Sequence, residues 1–174
     1  GKAAGEAIKV DDYEKGLMRL RQSLAVATKS APTRVESMTK VVKAIEARKL
    51  IIDRIVQLEE QFEAAEDPAA QQLTLQSLIQ INLVELNSPN RAAKMAAKVS
   101  DATLKKRLSL LANKPSELEE AEAADMATWF RSLADGASDV GKAAMYGRAA
   151  TYYKVVASKH DEETEAKVAA LTAR

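Results

Sequence analysis

The chain has 174 residues, with only 6 Gly and 4 Pro against 33 Ala. That composition excludes a sandwich, barrel or Rossmann sheet, which need turn residues every ~8–12 positions between β-branched strands, and it favours helix throughout. Lys plus Arg (26) balances Asp plus Glu (25) for a net charge of +1, evenly along the chain (12 basic and 11 acidic groups over 1–66, 14 and 14 over 67–174), which argues against nucleic-acid binding, whose affinity comes from a concentrated basic excess.

The start, Gly1-Lys2-Ala3-Ala4-Gly5, carries neither an initiator Met nor an apolar signal core, and reads as trimmed, with any signal peptide already removed. A first helix is expected from Asp12 to Lys29, where Tyr13, Leu17, Leu20, Leu24 and Ala27 step by four and three and draw one apolar stripe. Ala31-Pro32-Thr33 opens the longest helix, Thr33 to about Ala65, because proline pre-sets a helical φ and lacks an N–H that the first turn does not use. Met38, Val41, Ile45, Ile52, Ile55 and Phe62 recur along it near a 3.5-residue period, interrupted by Arg48 and Glu59. Two such helices form an antiparallel hairpin or, alternatively, an intermolecular coiled coil. Lys40, Lys43, Arg48, Lys49 and Arg54 alternate with Glu36, Glu46 and Asp53, a solvated ion-paired face rather than a polyanion-binding stripe.

Asp67-Pro68 and Ser88-Pro89 are N-cap-then-proline pairs, the cap oxygen serving the orphan amides of the first turn. Between them, Pro68–Asn87 carries Leu73, Leu75, Leu78, Ile79, Ile81, Leu83, Val84 and Leu86, apolar on most faces and therefore covered from both sides. Short helices follow over Pro89–Val99 and Asp101–Asn113, broken at Ser100-Asp101, itself a cap signal. Pro115 and the capping-box spacing Ser116-Glu117-Leu118-Glu119 open a helix to Ala134. Gly136 ends it, Ser138 or Asp139 starts the next, to about Lys159, and a last helix spans about Asp161–Ala173. The expected fold is all-α with seven or eight helices: a long hairpin over 1–66, then stacked helical hairpins over 67–174, as one continuous structural unit.

Chemistry-bearing patterns are sparse. With no cysteine, disulfides, thiolate metal sites and cysteine nucleophiles are all excluded. No apolar run reaches the length of about eighteen residues that suggests a membrane span. His160, the single histidine, sits where a helix C-terminus favours a cation and a cap. It leaves neither a zinc set nor a di-metal Glu-x-x-His bundle. The acidic run Glu117, Glu119, Glu120, Glu122 and Asp125 reads as a helix start complementing the dipole. Gly141-Lys142 lacks the rest of a phosphate loop. No enzyme activity and no cofactor are expected. Trp129, Phe130, Tyr146, Tyr152 and Tyr153 are five of the seven aromatics. Trp129, Phe130, Ala149 and Tyr153 are expected in the core, and Tyr146 and Tyr152 are the candidate partner contacts, tyrosine being enriched at interfaces.

Residues 90–104, Asn90-Arg91-Ala92-Ala93-Lys94-Met95-Ala96-Ala97-Lys98-Val99-Ser100-Asp101-Ala102-Thr103-Leu104, with Trp129-Phe130-Arg131-Ser132-Leu133-Ala134, Arg148-Ala149-Ala150-Thr151-Tyr152-Tyr153 and Glu165-Ala166-Lys167-Val168, resemble a tetratricopeptide-like segment of exported planctomycete proteins. The resemblance covers roughly 67–174. Ala149 and Tyr153 match the small-then-aromatic step of that repeat's second helix, while Met126 and Asp125 stand where the repeat prefers glycine and leucine. What the resemblance implies is export, to the periplasm or cell surface, and a scaffold or interaction role toward a protein partner. The alternative expectation is a structural homo-oligomer assembling through the long N-terminal hairpin.

Overall fold

A computed structural model of the chain describes residues 10–160 and Thr172. Among the described residues there are seven α-helices and no strand, so the fold is all-α. The expected helix over Asp161–Ala173, with Glu165–Val168 inside it, lies outside the described residues apart from Thr172. The chain divides into two compact units, residues 1–57 and 58–174.

In the first unit, α1 (Val10–Ser30) is followed by a 3₁₀ turn, Pro32–Arg34, and by the start of α2 (Val35–Ala64). The two helices run antiparallel: Arg21 pairs with Glu46 at 2.5 Å and Glu14 with Lys49 at 3.5 Å, so earlier residues of α1 meet later ones of α2. The stripe on α1 faces inward as its periodicity requires, with Leu17 and Ala27 buried and Tyr13, Leu20 and Leu24 half-buried. On α2 the expected stripe holds at Met38, Ile45 and Ile52, which are half-buried, and at Ile55, which is buried, and it departs at Val41. Val42 is buried there while Val41 is exposed, because neighbouring side chains on a helix point about 100° apart and only one of them can face α1.

The second unit begins inside α2 rather than at Asp67-Pro68. Leu58 is buried, Phe62 packs on the core of this unit, Gln71 Nε2 donates to the Phe62 carbonyl at 3.3 Å, and Lys98 lies over the Phe62 ring at 5.0 Å. Asp67 caps α3 (Pro68–Gln80), accepting from Ala69 N and Ala70 N at 3.2 and 3.1 Å. The helix expected to reach Asn87 instead widens into a π turn, Ile81–Glu85. Asn82, buried, donates from Nδ2 to the Leu78 carbonyl at 2.8 Å. Asn87 then takes a left-handed φ of 48°, a conformation asparagine tolerates better than most residues. Leu75, Leu78, Ile79, Leu83, Val84 and Leu86 are buried and Leu73 is exposed, so the segment is apolar on most of its circumference but not all.

One expected helix is split and one start is displaced. Residues 89–99 split into α4 (Pro89–Ala93) and a 3₁₀ turn, Ala96–Lys98. Ser88 makes no side-chain cap there. The break at Ser100-Asp101 is held by Gln72, which donates to the Lys98 carbonyl and accepts from Ser100 N, each at 3.0 Å. After α5 (Ala102–Leu110), capped by Asp101, Pro115–Glu117 forms only a 3₁₀ turn and α6 starts at Glu120, not Ser116. Leu118 between them is extended and buried, so burial of that side chain overrides the capping-box signal. Helix α6 (Glu120–Ala134) and α7 (Asp139–Lys159) form a closely packed antiparallel hairpin.

Candidate functional site

The aromatic residues of α6 and α7 form the centre of the second unit's core. Phe130 is fully enclosed, with Trp129 at 5.3 Å between ring centroids and Tyr152 stacked at 5.5 Å and 13°. Trp129 and Ala149 are buried and Tyr153 is half-buried against the same core. Tyr152 is only 4% exposed and so is not a partner contact. Its place on α7, one residue from Tyr153, turns it inward onto Phe130. Burial pushes its phenol pKa up. Of the two candidate contacts, Tyr146 is the one at the surface, 45% exposed.

Two arginines that the sequence reading left without a role close this core at its edges. Arg148 lies over Phe130 at 5.8 Å and donates from Nε to Asn87 Oδ1 at 2.9 Å, and burial lowers its pKa. Arg107 lies over Trp129 at 5.7 Å and grips Asp125 through two hydrogen bonds, 2.9 and 2.7 Å. These bonds hold the Asp125 carboxyl below its usual range. Because its value is lower in the folded state than in the unfolded one, the pair's contribution is fully present above about pH 4 and fades as pH falls through the folded value. The pair is partly exposed, so solvent screening leaves it worth about 1 kcal/mol. Arg107→Ala is expected to lose about that much at pH 7, with the gap to the parent protein narrowing below pH ~4 in urea melts at stepped pH. A gap undiminished at low pH would assign the loss to Arg107's packing on Trp129 instead.

Three more carboxylates of the acidic run are engaged. Glu117 accepts from Lys114 N at 3.3 Å, Glu122 from Glu119 N at 3.4 Å, and Glu120 pairs with His160 Nδ1. His160 is the C-cap of α7, its N–H donating to the Val156 carbonyl at 3.1 Å, while Lys159 Nζ donates to the Leu118 carbonyl. The end of α7 is thereby fastened to the start of α6. At the other end of α7, Glu85 of the π turn accepts from Ser138 N and Oγ at 3.2 and 2.6 Å, a carboxylate where the helix dipole favours one.

A concave feature of note lies within the first unit alone. A groove of about 950 Å³ runs between α1 and α2, lined by Glu14, Lys15, Leu17, Met18, Arg21, Gln22, Ala25, Glu46, Lys49 and Leu50. Its lips are apolar: Met18 is 55% and Leu50 69% exposed. Val26 and Val41 are also exposed on the same unit. Four of its charges are paired in place, Arg21 with Glu46 and Lys49 with Glu14, Lys49 also reaching Asp53, whose hydrogen bond raises the Lys49 pKa. The residues that matter here, Met18 and Leu50, were not singled out in the sequence. The signal was present as the second stripe of α1, the face beside Leu17, where Met18 and Ala25 sit seven residues apart.

Comparison of the chain with protein-family models, with curated proteins and with solved structures returns no match.

Proposed function

We propose that this chain is a non-enzymatic protein-interaction or scaffold module whose working surface is the apolar groove of the α1–α2 hairpin. Exposure of Met18 and Leu50 on opposite lips of that groove carries the reading. Large apolar side chains gathered at a groove rimmed by polar ones mark docking sites rather than ordinary surface. In the second unit the aromatic, carboxylate and histidine side chains are engaged in holding the fold together. The likeness of 67–174 to the tetratricopeptide-like segment of exported planctomycete proteins supports a helical-repeat scaffold in a bacterial periplasm or at the cell surface. No helix among the described residues is long and apolar enough to cross a membrane. No cofactor is part of the proposal.

The test places a photo-crosslinking residue at Met18 or, as control, at Val140, an exposed position of the second unit. Discrete adducts are expected from position 18 and not from 140, and adding Leu50→Glu should abolish them while leaving the far-ultraviolet circular dichroism unchanged. Equal, diffuse labelling from both positions would refute an interaction role for the groove.

A further inference from the structure

The occupant of the groove can be narrowed. We infer that it is a second copy of this chain, two α1–α2 hairpins packing face to face as a four-helix assembly; this rests on the groove being the interaction surface.

The first reason is the incomplete core of the hairpin. Among its described residues the buried apolar side chains are Leu17, Ala27, Val42 and Ile55. Two helices sharing so few leave their second apolar faces in water, and small units of this kind are completed by association. The second reason is area. The 21 residues of α1 extend about 30 Å, and two adjacent helices are about 20 Å wide, so one hairpin face offers on the order of 600 Å² before side-chain relief is counted. That approaches the roughly 800 Å² per partner of a stable interface.

The third reason is charge, and it selects the partner. Glu14 and Arg21 lie seven residues apart on α1, on either side of Met18. An antiparallel two-fold near Met18 brings Glu14 of each copy beside Arg21 of the other. Within one copy Glu14 already meets Lys49, and Arg21 already meets Glu46. The contact therefore extends these pairs into alternating chains of opposite charge, with no like charges opposed at those positions. A strongly acidic or strongly basic partner would meet repulsion at half of these groups. Two copies at a net charge of +1 repel each other little.

The test uses the full chain, and the absence of cysteine makes it clean. Sedimentation equilibrium of the unmodified protein should show a concentration-dependent dimer. Met18→Glu combined with Leu50→Glu, both at exposed positions, should raise its dissociation constant at least tenfold with circular dichroism unchanged. Met18→Cys should form a disulfide-linked dimer in a glutathione redox buffer, and Val140→Cys should not. A monomer at every concentration, a dimer indifferent to the two glutamates, or equal cross-linking of both cysteines would each overturn the second copy as occupant. A monomer that still gives discrete heterologous adducts from position 18 would overturn it while leaving the interaction role standing.

Discussion

Phe130→Ala is expected to lower the stability of the second unit by about 3–5 kcal/mol. The Phe130 ring is wholly enclosed, packs on Trp129 and Tyr152, and lies under the Arg148 guanidinium. Removing it leaves a cavity whose walls cannot all move in, because α6 and α7 are fastened at one end by His160–Glu120 and Lys159–Leu118. Arg148 would also lose the face it stacks on while its bond to Asn87 holds it in place. Urea unfolding followed by the fluorescence of Trp129, the single tryptophan, reads this unit specifically. Since the two units need not unfold together, a probe confined to one of them is required. A loss below about 1 kcal/mol would show that the ring is not part of the core that holds the helices together.

Gly141→Val carries the second large effect, a loss of about 2–3 kcal/mol. A Cβ at Gly141 would sit 2.9 Å from Val84 Cγ1 and 3.3 Å from both Ala137 Cβ and Glu85 Oε1. Val84 is stiff at χ1 and buried in the π turn, so the clash is relieved only by moving α7 away. That movement strains the bonds from Ser138 to Glu85. Gly147, in the same helix with nothing within 4 Å of its would-be Cβ, is the control. Gly147→Ala should stabilise by about 0.5–1 kcal/mol through helix propensity alone. Thermal melts of the two variants should therefore shift in opposite directions, and an unperturbed Gly141→Val would mean that α7 does not depend on this close approach.

The groove and the core differ in how far they could be read beforehand. Asp67, Asp101 and Ser138 were legible as caps because capping is a contact between residues two or three apart. The α1 stripe was legible because a helix period projects directly onto a face. Tyr152 and Tyr153 were not separable in this way: adjacent side chains differ by about 100°, and which of them meets Phe130 depends on the rotation of α7 against α6. The start of α6 carried a capping-box spacing that local rules favour, yet the burial of Leu118 moved it to Glu120.

From residue order alone came the helical class and the places where most helices begin, consequences of interactions within about one or two turns of chain, and the hairpin of α1 with α2, which follows from two apolar stripes joined by a short connection. Only the packed structure decided the rest. Arg107 finds Asp125 eighteen residues away, His160 finds Glu120 forty away, and Arg148 finds Asn87 sixty-one away. The widening of α3 into a π turn and the groove lips Met18 and Leu50 were settled at the same level. Such pairings depend on the azimuth and depth at which each helix settles on its neighbours, a sum over many weak contacts that no short stretch of sequence contains.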